Sequence, residues 1–233
     1  MALGPDPGER PAGNAAGRIL VACALRRETD SVRVVLPASL DFLTTGIGSR
    51  QASKVLARRL QRFPPSVLLF TGTAGQLDPS CPMGTVICPE TWMIDGQASS
   101  ARVSEVLLGP LRARGWEIGG CGLTVSLPVL RASSRLELFE RTGAPICDME
   151  AGAALQVAGS LGIPALAAKV VSDSGDCTFI DFYRNLNRNL QALGGYLQRL
   201  VKDLEEIVTV GAEPRTEQPG KPGTPGTPGT PGT

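Results

Sequence analysis

The sequence predicts an α/β fold, a single three-layer α/β/α domain around a central mixed, mostly parallel sheet. Two observations carry this. Short and nearly continuous apolar runs, such as Arg18 to Ala24 and Ala165 to Val171, read as strands buried on both faces, and they alternate with segments of helical periodicity. Three of these strands then deliver acids to one edge: Glu28 beyond the first, Asp148 and Glu150 after Ile146-Cys147, and Asp173 after Val171-Ser172. In an open α/β sheet, ligands bind at the carboxyl ends of the strands. Each acid taken alone reads first as a helix cap, but acids at three strand ends of one edge point to a site.

Bulk properties narrow the class. With 233 residues and 23 basic against 22 acidic side chains, the chain suits one core, and no overall field draws it to nucleic acid or an acidic membrane surface. The expected boundaries are a disordered tail at 1–17, a folded domain at 18–211 and a disordered Pro/Gly/Thr-rich tail at 212–233. Met1 to Gly17 lacks the apolar run of a secretory signal, and no stretch is long and apolar enough to span a bilayer. Cys23, Cys81, Cys88, Cys121, Cys147 and Cys177 form no Cys-x-x-Cys pair and read as small buried residues of a reducing, cytoplasmic compartment. The sequence contains no histidine. Ser-His-Asp and Cys-His mechanisms are thereby excluded, and acid and base chemistry falls first to Asp and Glu.

Taken in order, Arg18 to Ala24 is a strand and the polar turn after it begins a helix, in which Glu28 suits the first turn by the helix dipole. Leu40 to Thr45 is a strand ending at Gly46-Ile47-Gly48, where the glycines permit either close approach of a ligand or a tight turn. Ala52, Val55, Leu56 and Leu60 then mark one face of a helix that Pro64-Pro65 stops. Ser66 to Phe70 is a strand leading into a small-residue loop, Thr71 to Leu77. Thr91 to Arg102 is a polar connection with Trp92 and Asp95 its distinctive members, and Val103 to Leu111 is helical as far as Pro110. Gly119 to Ser126 is a strand. Ser133 caps a helix carrying Leu136, Leu138 and Phe139 that ends at Gly143, and the strand Ala144 to Cys147 follows. Ala151 to Leu161 is a small-residue helix packed closely through Gly152 and Gly159. After Ala165 to Val171, a final amphipathic helix begins near Phe179, with Leu186, Leu190, Leu193, Leu197, Leu200, Leu204 and Ile207 as its core stripe.

Asp148-Met149-Glu150, Val171-Ser172-Asp173, Thr71-Gly72-Thr73-Ala74-Gly75 and Thr45-Gly46-Ile47-Gly48 resemble the signature stretches of the nucleoside phosphorylase and nucleosidase superfamily, from about Arg18 to about Val208. The type most resembled is the methylthioadenosine/S-adenosylhomocysteine nucleosidase. The resemblance implies a nucleoside phosphorylase-like fold, a small-molecule purine nucleoside as substrate, no organic cofactor or metal, and a homo-oligomer, with a dimer favoured. It implies Asp173 as the acid that protonates the departing base, its proton shared through Ser172, and Glu28 as the group that activates water. Glu150 would grip the ribose hydroxyls and Met149 pack on the sugar. Thr73, Ala74 and Gly75 would line the base and ribose pocket, and Phe179 and Val129 would stand at positions facing the ligand. Two departures stand out: Phe70 replaces the arginine that often holds phosphate in phosphorylases, and Val129-Leu130 replace an aromatic that stacks on the purine. Arg26, Arg27, Arg50 and Lys169 remain candidate phosphate ligands. The alternatives are therefore a purine nucleoside phosphorylase-like enzyme, including the hopanoid-associated kind, a futalosine hydrolase-like enzyme, or a catalytically silent nucleoside-binding protein.

Overall fold

Period-two alternation along three central strands sets the layers. In β1 (Ile19–Cys23), β3 (Val67–Gln76) and β9 (Ala165–Asp173), one set of side chains, Val21, Leu69, Ala168 and Val170 among them, enters one buried cluster. The alternate set, including Leu20, Leu68, Phe70, Ala167 and Val171, enters a second on the opposite face. Each face needs a helical cover. The first is closed by α1 (Arg26–Val35), α3 (Glu105–Ala113) and α6 (Phe179–Gly211), and the second by α2 (Ser49–Arg62) and α5 (Ala151–Ser160). This is the expected α/β/α arrangement. The computed structural model describes residues 18–95, 97–174 and 179–211, and the side chains of 97–100, 179–185 and 211 lie outside that description, as do both expected tails and Cys177.

Nine strands pair in one sheet among the described residues. β2 (Asp41–Thr44) joins β1 in parallel, β1 joins β3, and β3 joins β9, all in parallel. β8 (Ile146–Asp148) meets the far end of β3 antiparallel and β7 (Cys121–Thr124) in parallel. β5 (Thr91–Ile94) pairs with β7 in parallel and with β6 (Gln97–Arg102) antiparallel, while β4 (Val86–Ile87) pairs antiparallel with β9.

Several local expectations are corrected. Thr71 to Gln76 is no loop: it continues β3, pairing with β9 as far as Gly75 opposite Asp173, with a register shift at Ala74/Gly75. Small residues there serve close approach, since Gly72 has φ +131° and a Cβ on it would lie 2.8 Å from both carboxylate oxygens of Glu28. Thr91 to Arg102 forms the β5–β6 hairpin and buries Trp92 completely; Asp95 turns it with φ +50°. α3 runs through Pro110, whose lost bond would reach back to Val106 on the exposed face, where water can replace it. α4 (Ala132–Thr142) starts before Ser133 with Arg131 at its cap, and Leu136 is largely exposed, because the buried position of that helix is taken by Arg135. Gly143 ends it in the left-handed conformation, as expected. Gly152 does pack closely, against Ile94 and Thr124, but Gly159 faces open space.

The stripe of α6 is core: Leu186, Leu193, Leu197, Leu200 and Leu204 are fully buried. Among the described residues no helix is long and apolar enough to cross a membrane. The thiols of Cys23, Cys88 and Cys147 are pushed up by burial, the last two to about 12, which leaves them poor nucleophiles. Truncating Leu200 to alanine is expected to cost about 2–5 kcal/mol, read as a lowered denaturation midpoint. Gly72→Ala is expected to cost about 1–3 kcal/mol, because its added methyl forces Glu28 to move and the backbone stays strained. An unchanged midpoint for Gly72→Ala would contradict the close approach of Glu28.

Candidate active site

The acids at the sheet edge are folded into fixed positions by different neighbours. Glu28 lies in the first turn of α1, and its Oε2 accepts the N–H of Leu25 at 3.0 Å, half of a capping box. The helix-cap reading of this residue is therefore correct for one oxygen. Its other oxygen, Oε1, crosses to β3 and accepts both the N–H and the hydroxyl of Thr73, at 2.8 and 2.7 Å. A carboxylate offers about four acceptor positions, so three bonds leave roughly one for a further donor such as water. The Thr73 hydroxyl, expected to face a ligand, is thus taken by Glu28.

Asp148 and Glu150 divide the work of the Asp-Met-Glu stretch. Asp148 caps α5, accepting Ala151 N–H at 2.9 Å, and takes the Thr124 hydroxyl at 2.8 Å. Glu150 reaches to the start of α2, where its Oε1 accepts the N–H of Gly48 at 2.7 Å. Gly48 stands at the start of α2 with φ +89°, so the Gly46-Ile47-Gly48 segment is a turn that aims a helix N-terminus at Glu150. Met149 is half-buried at the rim, and its carbonyl accepts the Ser49 hydroxyl at 2.8 Å.

Between these acids lies one cation. Lys169 projects from β9, only 1% exposed, with Nζ 2.9 Å from Asp148 Oδ2 and 4.6 Å from the centroid of the Phe70 ring. Burial alone would push its ammonium down, but the carboxylates of Asp148, Glu150 and Glu28 outweigh burial and hold it above its ordinary value. One ammonium cannot balance three carboxylates. Glu150 is accordingly pushed up to about 7, chiefly by burial and further by Asp148 and Glu28, against the pull of Lys169 and the Gly48 N–H. Among the other candidate phosphate ligands, Arg26, Arg27 and Arg50 are exposed, and Arg26 lies 3.7 Å from Asp30 on its own helix.

The far end of the site is built on Asp173. Ser172 donates to its Oδ1 at 2.7 Å and also lies 3.1 Å from the Ala74 carbonyl. Asn189 of α6 donates to the Ser172 carbonyl at 3.1 Å, fixing the pair from below. Oδ2 of Asp173 accepts from Nη2 of Arg135. Arg135 was not legible as a site residue, although a charged side chain three and four positions before Leu138 and Phe139 stands on the apolar face of its helix, which was the available signal. It is 7% exposed and donates to the carbonyls of Val129 (2.8 Å), Gln76 (3.2 Å) and Asp173 (3.0 Å). Gly75 admits it, since a Cβ there would lie 3.2 Å from Nη1. Val129 packs its side chain against a small cluster that includes Leu77, Leu123 and Cys147. Phe179 begins α6, but its side chain lies outside the described residues.

Among the described residues no group of three His, Cys, Asp or Glu side chains is placed to hold a metal ion. An open groove of about 910 Å³ beside α6, lined by residues including Trp116, Tyr196, Arg199 and Lys202, contains none of Glu28, Glu150, Lys169 and Asp173.

Comparison with solved structures places the fold among nucleosidases. The 5'-methylthioadenosine/S-adenosyl homocysteine nucleosidase of Campylobacter jejuni superposes with a TM-score of 0.67 at 17% identity, over 81% of this chain and 99% of that one. The corresponding Neisseria meningitidis enzyme, in complex with methylthio-immucillin-A, gives 0.67 at 19% identity, over 83% and 99%. Futalosine hydrolase of Helicobacter pylori gives 0.67 at 14%, over 81% and 97%. No curated protein sequence matches the chain. A family model described as the phosphorylase superfamily matches residues 30–202, and the chain therefore belongs to the phosphorylase superfamily.

Proposed function

We propose that this member of a family of N-glycosyl hydrolases and nucleoside phosphorylases is a nucleosidase, hydrolysing the N-ribosyl bond of a purine nucleoside to free base and sugar. The observation that carries the choice of water over phosphate is the charge of the buried cluster. Glu28, Asp148 and Glu150 surround a single ammonium, which is already bound to Asp148. A phosphate dianion entering beside these carboxylates would be repelled, whereas water needs only an acceptor and a donor. The motif resemblance and the shared fold support the methylthioadenosine/S-adenosylhomocysteine type of substrate. On the same grounds the protein would act in the cytoplasm and as a homo-oligomer.

In this mechanism Glu28 uses its remaining acceptor position to orient water and takes a proton from it as the oxygen attacks the anomeric carbon. The bond from that carbon to the base breaks, its electron pair leaves with the base, and Asp173 supplies a proton to the purine N7. Ser172 has one hydroxyl proton and two acceptors in reach, so it can turn to the Ala74 carbonyl when Asp173 carries the proton to be given. Glu150 as a carboxylate accepts the ribose hydroxyls, with Met149 against the sugar. The positive charge that grows on the sugar is met by the net negative cluster, a fixed field.

Glu28→Gln is expected to lower kcat by about 10²- to 10⁴-fold and also to lower the denaturation midpoint, since an amide nitrogen cannot accept the bonds that Leu25 and Thr73 donate. Incubation with methylthioadenosine, inosine and adenosine should release base and free sugar at a rate independent of added phosphate. Strict dependence on phosphate would support the phosphorylase reading, and binding without product the silent binding protein. The folded protein holds the Glu150 proton more tightly than the unfolded chain does, its value rising from 4.5 to about 7. Its contribution to stability therefore falls as pH rises across that window. Because the carboxylate form grips ribose, kcat/KM should climb with pH through about 7 and level off above it. Glu150→Gln should abolish that limb of the profile.

A further inference from the structure

Arg135 of α4 pairs with Asp173 at the carboxyl end of β9. Asp173 carries an acceptor face already occupied on both oxygens, Oδ1 by the Ser172 hydroxyl and Oδ2 by the Arg135 guanidinium. Of the five N–H groups on Arg135, one on Nε and two on Nη1 go to main-chain carbonyls, and one on Nη2 goes to Asp173. The second N–H of Nη2, on the nitrogen that touches Asp173, has no partner among the described residues. Arg135 is nine-tenths buried, so a missing partner there is costly and a ligand acceptor would relieve it.

We infer that Arg135 is a specificity-determining residue that makes this site select a 6-oxopurine nucleoside over a 6-aminopurine nucleoside. The inference rests on the reading that Asp173 faces the purine N7. Beside N7, a 6-oxopurine presents the O6 acceptor, while a 6-aminopurine presents an amino donor. With Asp173 Oδ2 turned to the guanidinium, an amino group there faces a cation and a hydrogen-bond donor like itself. O6 in the same place accepts the spare N–H. The hydrogen bond also strengthens as the base takes the electron pair of the broken bond, so the preference is exerted on kcat as well as on binding. This replaces the 6-aminopurine of the methylthioadenosine-type reading with a 6-oxopurine and leaves the hydrolysis itself as proposed.

The test compares inosine with adenosine, which share a ribose and differ at position 6, and the free bases hypoxanthine and adenine by calorimetry. The wild-type protein should favour inosine in kcat/KM, and hypoxanthine in affinity, by about 10- to 100-fold, the range of one well-placed polar contact. Arg135→Gln should lower the inosine rate far more than the adenosine rate and bring the ratio toward unity. Arg135→Lys, which keeps a cation near Asp173 without the planar fork, should restore part of the preference. A role confined to bracing the Val129 loop and β3 would lower both substrates alike and leave the ratio unchanged, which overturns the inference. So does equal or tighter use of the 6-amino compounds by the wild-type protein. If neither nucleoside is cleaved but hypoxanthine still binds more tightly than adenine, the nucleosidase reading fails and the assignment of Arg135 stands; if neither base binds, the assignment falls.

Discussion

A single buried ammonium, that of Lys169, is the constraint around which the acidic edge of the sheet is assembled. It stands 2.9 Å from Asp148 and within the field of Glu28 and Glu150, all three of them buried. A buried ion pair of this kind need not add net stability compared with a hydrophobic replacement, but removing one partner strands the other at a cost on the order of 3–5 kcal/mol. Its effect is positional. Asp148, held by Lys169, caps α5; α5 then presents Glu150 to the start of α2. Three strand-to-helix connections are thereby tied to one charge on β9.

Pairing of charge is distributed unevenly along the candidate site, and the proposed hydrolysis would draw on that unevenness. Around Lys169, carboxylates outnumber the ammonium, which would favour a developing cation and raises the proton affinity of Glu150. At the opposite end one carboxylate, Asp173, meets one guanidinium, Arg135, and a hydroxyl. That end is balanced and rich in donors, suited to a group that gains electrons. The aromatic ring of Phe70, standing where a phosphate-holding arginine is common in phosphorylases, lies under Lys169 and shields it from water instead of offering a second cation.

Helix capping and site building prove to be the same interactions seen from two sides. Glu28 caps α1 with one oxygen and bridges to Thr73 with the other, so its orientation is fixed before any ligand arrives. The Gly46-Ile47-Gly48 turn lets α2 begin with an N–H aimed at Glu150. Gly72 and Gly75 leave β3 without side chains at the two points where Glu28 and Arg135 lean on it. Glycine in a strand interior weakens the strand, and here the lost packing is exchanged for two charged contacts.

Local patterning determined the strands, the helices and the two-sided core, because burial on a pleated strand repeats every second residue and on a helix every three to four. The absence of histidine likewise directs the expected chemistry to carboxylates, and the acidic strand ends mark the edge where the structure brings Glu28, Asp148 and Glu150 around Lys169. What pattern could not decide is which partner each polar group finds. Glu28 meets Thr73 45 residues away, Glu150 meets Gly48 102 residues away, and Arg135 meets Asp173 38 residues away. The spacing of Arg135 from Leu138 and Phe139 sets it on the apolar face of its helix but names no partner for it, and Lys169 sits in an apolar run that gives no sign of its three carboxylates. Thr71 to Gln76 read as a turn because small residues are usually turn residues, yet pairing with β9 kept it a strand. Those outcomes belong to the tertiary structure, since the sign and spacing of buried charges are set by elements that meet only when the sheet closes.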